Sequence, residues 1–101
     1  LGEPDASGRR SPIAIEGAIE TIEVDEVIVS VGVSPNPLIP QAFGGLDVTR
    51  WGTIVVNEDD MRSSLPDVYA GGDIVRGGAT VILAMGDGRK AAASMADALV
   101  K

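Results

Sequence analysis

Two short stretches carry residues able to hold a ligand. Val68-Tyr69-Ala70-Gly71-Gly72-Asp73 is a β-favourable run that ends in two glycines and a carboxylate. Gly77-Gly78-Ala79-Thr80 then leads into an alanine-rich tail. Glycines at a strand end let a ligand touch backbone, and a carboxylate there accepts hydrogen bonds from ligand hydroxyls. Open α/β sheets place their ligands at that end of their strands. Thr80 is the expected N-cap of a helix running to the end of the chain, and the first-turn amides it leaves free suit an anion or developing negative charge. Val31-Gly32 offers a second strand end open to close backbone approach. Any one of these features is usual in a turn. Their order and spacing together make a candidate constellation of Gly32, Gly71, Gly72, Asp73 and the helix start at Thr80.

The elements that must position these residues are short. Residues 1–12 are polar and turn-rich and read as a loop. Pro12–Ile15 and Ala18–Val24 flank Glu16-Gly17 and predict a hairpin with one wet face. Glu26–Val33 is nearly continuous and β-branched, the pattern of a strand buried on both faces. Ser34-Pro35-Asn36-Pro37 stops it, and one helical turn is expected near Ile39–Phe43. Gly52–Val56 and Val68–Ala70 read as further strands, separated by the polar excursion 57–64. Beyond Thr80, Val81, Met85, Gly88, Ala92, Met95 and Leu99 form one stripe of a helix. The fold class is α/β, a partial Rossmann-like domain of short strands with a C-terminal helix.

Gly86-Asp87-Gly88-Arg89-Lys90-Ala91 matches the string G-x-G-x-x-A. That fingerprint works only in a turn between a strand and a helix, whereas these residues fall inside the predicted helix. A packing role, with a tight backbone contact compensating the mid-helix glycines, is expected instead. Asp25-Glu26, Asp59-Asp60 and Arg89-Lys90 read as solvated charges, and Trp51 as an anchor near a strand start.

The chain has 101 residues, a net charge of −7, 45% hydrophobic and only 3% aromatic residues, so a single modest aliphatic core is expected. No basic face exists to neutralise phosphates, which argues against nucleic acid. With no Cys and no His, the chain offers no disulfide, thiol nucleophile, zinc–thiolate site or imidazole acid–base chemistry. No stretch reaches the roughly 18 apolar residues of a membrane span. A cytoplasmic setting is expected. The chain opens on Leu1 rather than Met, which leads to the expectation of an excised or processed piece.

Over essentially its whole length the chain resembles the C-terminal segment of the NADPH-dependent glutamate synthase small (beta) subunit family. The residues that carry the resemblance are Gly8-Arg9-Arg10, Asp25–Gly32, Ser34-Pro35-Asn36, Val68–Asp73, Gly77–Val81 and Gly88–Ala92. The Ala-Gly-Gly-Asp stretch with its following helix marks the wider superfamily of two-dinucleotide-domain flavoproteins. The resemblance implies an oxidoreductase in which NADPH reduces FAD and electrons pass to iron–sulfur centres or a partner such as a glutamate synthase large subunit. It implies that Asp73 meets the ribityl chain and that Gly71 and Gly72 lie against the pyrophosphate–ribityl region. Ala79, Thr80 and Val81 would face the flavin pyrimidine edge, and Val31-Gly32 would close the NADPH lobe. Residues 1–37 would be the tail of the NAD(P)H-binding lobe and 41–101 the C-terminal part of the FAD-binding lobe. The family's two nucleotide fingerprints and its iron–sulfur cysteines have no counterpart in these residues. The isolated chain is therefore expected to hold no FAD tightly and to transfer no hydride, and its apolar strands to repack or pair with a second copy. Two alternatives stand beside this reading: a non-catalytic assembly domain with a flavoprotein-like fold, and a thioredoxin reductase-like fragment.

Overall fold

The computed structural model describes residues 1–6 and 8–100, and the chain divides into two compact units, Leu1–Ser30 and Val31–Lys101. In the first unit, the described residues before Pro12 close on themselves rather than forming a free loop. Pro4 and Arg10 bridge in antiparallel fashion, the Gly2 N–H donates to the Ser11 carbonyl at 2.7 Å, and Arg10 Nε reaches the Gly2 carbonyl at 2.9 Å. The turn expected at Glu16-Gly17 is present, with Gly17 at φ +76° and the Ala18 N–H donating to the Ile15 carbonyl. The hairpin ladder expected around it does not form among the described residues.

The strand expected over Glu26–Val33 also departs from its pattern. No bridge involves it among the described residues, and its apolar side chains lie open, from 75% exposed at Val27 to 100% at Val33. A β-branched run encodes preference for a pleated, covered surface, but a ladder needs a neighbour to exchange hydrogen bonds with. None of the described segments supplies one.

In the second unit Pro37 caps α1 (Leu38–Ala42), the helical turn anticipated here, and the Asn36 side chain accepts from the Leu38 N–H at 3.0 Å. The chain then runs back and forth in short antiparallel steps. Single bridges join Val48 to Ile54, Val56 to Ser63 and Arg62 to Tyr69. The runs expected at Gly52–Val56 and Val68–Ala70 are thus paired, but only through single bridges rather than ladders. The reversal at 57–62 is held by side chains as well as backbone: Asn57 accepts from the Asp59 N–H and Asp60 from the Arg62 N–H, each at 2.9 Å. Met61 closes this turn at φ +60°, a conformation uncommon for a side-chain-bearing residue, and its side chain is fully enclosed. Leu46, Ile54 and Ala91 complete the apolar core.

A four-residue helix not foreseen in the sequence, α2 (Asp73–Arg76), follows the Gly71-Gly72 turn. It is tied to the core by the Ile54 N–H, which donates to the Ile74 carbonyl at 2.8 Å. α3 (Val81–Leu99) starts at Thr80 as expected, the Thr80 hydroxyl accepting from the Leu83 N–H. Its inward face, however, is not the predicted stripe. Asp87 and Ala91 are buried and Ala84 and Ser94 half-buried, while Val81, Met85 and Leu99 are exposed. The reason lies at Gly71-Gly72, which approaches α3 so closely that only short side chains fit between. No helix among the described residues is long and apolar enough to cross a membrane.

Candidate functional site

The face of α3 turned to this glycine pair carries only short side chains at the contact. A Cβ added to Gly71 would lie 2.7 Å from the Asp87 Cβ, and one on Gly72 would lie 3.4 Å from the Ala84 Cβ. Gly72 also sits at φ +80° and ψ −150°, a region almost closed to other residues. The close approach expected at Gly86 and Gly88 is therefore found at Gly71 and Gly72. Around both helical glycines the space is open, with nothing within 4 Å of an added Cβ.

Asp87 occupies the contact. Arg76 grips it with both prongs, Nε to Oδ2 at 2.6 Å and Nη2 to Oδ1 at 2.7 Å, and the Gly72 N–H donates to Oδ2 at 3.0 Å. The guanidinium, and after it the Gly72 N–H, hold the Asp87 carboxyl down at about 2. Asp87 likewise holds the Arg76 guanidinium above its ordinary value. Neither residue stood out as functional in the sequence. The only signal was an acidic residue in register with Ala84, Ala91 and Ser94, inside a string that suggested a different motif.

Four of the anticipated residues, Asp73, Ala79, Thr80 and Val81, come together with Ala84 and Met85 around one open hollow of about 390 Å³. The Asp73 carboxylate is exposed, with one long contact to the Ala79 N–H at 3.5 Å. The α-helical bonding pattern leaves the Val81 and Ile82 N–H groups without an acceptor, and none is found among the described residues. Gly71 and Gly72 lie behind, packed on α3. Gly32, at φ +75°, is outside the hollow's lining. No group of acidic side chains suited to a metal ion occurs among the described residues.

The hollow thus presents one free carboxylate, two free amides at a helix start, and a wall of short apolar side chains with one methionine. That donor set fits a flavin. A carboxylate accepts from a polyol, helix-start amides meet an electron-rich carbonyl or ring nitrogen, and apolar side chains lie against a ring face.

The family can now be stated: the chain belongs to the pyridine nucleotide-disulphide oxidoreductases, whose family model matches residues 5–88. Among its relatives, the NADPH glutamate synthase small chain of Azospirillum brasilense is 46% identical over 91% of this chain and 19% of its own length. The corresponding small chain of Escherichia coli is 37% identical over 91% of this chain and 20% of its own. The NADP(+)-dependent formate dehydrogenase subunit beta of Moorella thermoacetica is 39% identical over 94% and 13%. The chain spans about a quarter or less of the length of the curated relatives it matches. The expected family is thereby established, and with it the likeness to glutamate synthase small chains. Of the α/β architecture expected for it, the described residues form the C-terminal helix and isolated bridges.

Proposed function

We propose that this chain is the C-terminal part of a cytoplasmic, FAD-dependent NAD(P)H oxidoreductase of the glutamate synthase small-chain kind. Residues 1–37 would end its NAD(P)H-binding lobe, with Gly32 at a strand end, and 41–101 would complete its FAD-binding lobe. The observation that carries the reading is the meeting of Asp73 with the capped start of α3 at one hollow. Asp73 accepts a hydrogen bond from a ribityl hydroxyl, and the Ala79–Val81 segment offers amides to the pyrimidine edge. Those amides favour negative charge there without reorganising, which is the contribution a protein makes to flavin reduction. Gly71 and Gly72 keep the turn flush with α3 from behind the hollow, so their part in holding the pyrophosphate–ribityl region is to set the turn that carries Asp73. FAD, when bound, supplies the capacity to take two electrons from NADPH. The relatives named as small chains and beta subunits support passage of those electrons to a partner subunit, and the proposal extends the route to iron–sulfur centres.

The exposed run Val27–Val33 supports a second part of the proposal. Such side chains are covered in the parent by neighbouring sheet, so the chain alone holds no flavin tightly and transfers no hydride. Two measurements test the reading together. Purified chain mixed with FAD and desalted should come through colourless. The same residues substituted for the matching segment of the Azospirillum small chain should retain flavin, and retain less with Asp73→Ala. Retention of stoichiometric flavin by the isolated chain overturns the incomplete-site proposal, and equal retention with and without Asp73 overturns the site.

A further inference from the structure

Asp87 is 3% exposed, and its two oxygens are shared among three donors from Arg76 and Gly72. Enclosing a carboxylate is unfavourable unless it is paired this well, and a short apolar side chain in its place would pack as closely. Holding α3 against the turn does not require the charge, since Ala84 and Ala91 already face that way. What the pair alone does is fix the turn. Gly72, just before α2, directs its N–H to Asp87, and Arg76, the last residue of α2, returns to the same carboxylate. The single turn of α2 is therefore clasped at both ends by one side chain. Asp73 is the residue between those two points that lines the hollow.

We infer that Arg76 and Asp87 are positioning residues for the Asp73 carboxylate, setting its place at the hollow for a ligand hydroxyl although neither lines the hollow. The inference rests on the flavin reading above and adds two residues to it. The Asp73 carboxylate has only the 3.5 Å contact with the Ala79 N–H. The backbone of α2 is held by the Ile54 N–H at the Ile74 carbonyl and, through side chains, by the Arg76–Asp87 pair. A bidentate guanidinium–carboxylate pair has one preferred orientation, which makes it suited to this task.

The test uses the full chain in solution, with FAD as the probe and amide NMR as the readout. In the unaltered chain, millimolar FAD should shift the Ala79, Thr80 and Val81 amides and saturate. Asp87→Asn keeps the shape and removes the charge. It should weaken FAD binding about tenfold, the size expected for losing charge-assisted bonds, and speed Gly72 amide exchange about as much. The Asn57 amide, bonded to the Arg62 carbonyl at 2.8 Å, reports global opening in the same sample. Arg76→Lys, which keeps charge but only one prong, should lie between the two. Ile54→Val lowers stability without touching the pair and should bind FAD as the unaltered chain does. If FAD moves no amide in the unaltered chain, the same variants are compared in the Azospirillum small chain carrying this segment. There, flavin retained equally with Asp87→Asn and Arg76→Lys as without them overturns this inference, and equal retention with Asp73→Ala overturns the flavin reading. If FAD binds the unaltered chain and binds the Asp87→Asn and Arg76→Lys chains equally well, the flavin reading stands and this inference is overturned. Should Asp87→Asn unfold, Arg76→Lys decides the matter alone.

Discussion

Alanine at position 71 and alanine at position 88 should change stability in opposite directions. At Gly71 the added Cβ falls 2.7 Å from the Asp87 Cβ and 3.2 Å from the Asp87 carbonyl carbon, while ordinary contact begins at 3.4 Å. The shortfall, about 0.7 Å, must be met by moving α3 or the turn, because neither atom is the end of a flexible side chain. Overpacking of this kind costs about 1–3 kcal/mol. Any retreat of α3 also lengthens the bonds from Arg76 and the Gly72 N–H to Asp87, which adds to that cost. At Gly88 nothing lies within 4 Å of the added Cβ, and the residue is in the interior of α3. Alanine there removes backbone freedom from the unfolded chain and should stabilise by about 0.5–1 kcal/mol. Urea unfolding followed by far-UV circular dichroism reads both, since α3 dominates the helical signal. A Gly71→Ala chain as stable as the original, or a Gly88→Ala chain less stable than it, would refute the assignment of the close contact to Gly71.

Thr80→Ala removes the acceptor of the Leu83 N–H and should cost about 1 kcal/mol, with Thr80→Asn recovering most of it in the same unfolding assay. An unchanged midpoint for the alanine chain would mean that the cap contributes nothing. The Asp87 carboxyl is held at about 2 against an ordinary 3.8, so its folded value is the lower one. Its contribution to stability is complete above the ordinary value and is lost as pH falls through about 2. Over that acid window the unaltered chain should lose stability more steeply than Asp87→Asn; parallel acid profiles would remove the pair as the cause.

The course of α3 was legible because its start carries a specific local signal. Thr80 follows two glycines and opens a run of good helix formers, and the helix begins there. The meeting of Asp73 with Ala79–Val81 was likewise legible, since a strand-end carboxylate and a capped helix start seven residues later have few ways to be joined. The buried face of α3 was not. A hydrophobic stripe is read on the assumption that large side chains face inward, and that assumption holds where the neighbouring element stands a side chain's length away. Here the neighbour is bare backbone at Gly71-Gly72, so Ala84, Asp87, Ala91 and Ser94 face inward while Val81 and Met85 do not. The strands failed for a different reason. β-branched residues at Val27–Val31 favour a covered, pleated surface, and among the described residues no segment bridges to them. Met61 in a left-handed turn, fully buried, had no local signal at all.

Asp73 and Asp87 show how far the same side chain can be carried in two directions within fifteen residues of chain. Asp87 has both oxygens engaged by three donors of its own molecule, and its charge is paired with Arg76. Nothing is left for a ligand, and protonating it would undo three bonds at once. Asp73 makes one long contact and otherwise faces open space beside two unpaired helix amides. A free carboxylate next to free amides is unremarkable at a surface, where water satisfies both. It becomes informative when the turn that carries it is clasped from behind by a buried ion pair, because rigidity at an exposed carboxylate brings no gain in packing. On the proposed reading, that placement serves a partner whose hydroxyls must arrive at one place. The order of dependence is therefore Asp87 on Arg76, the Gly72 turn on both, and Asp73 on the turn, so a change at Asp87 should be felt at the hollow before it is felt in the core.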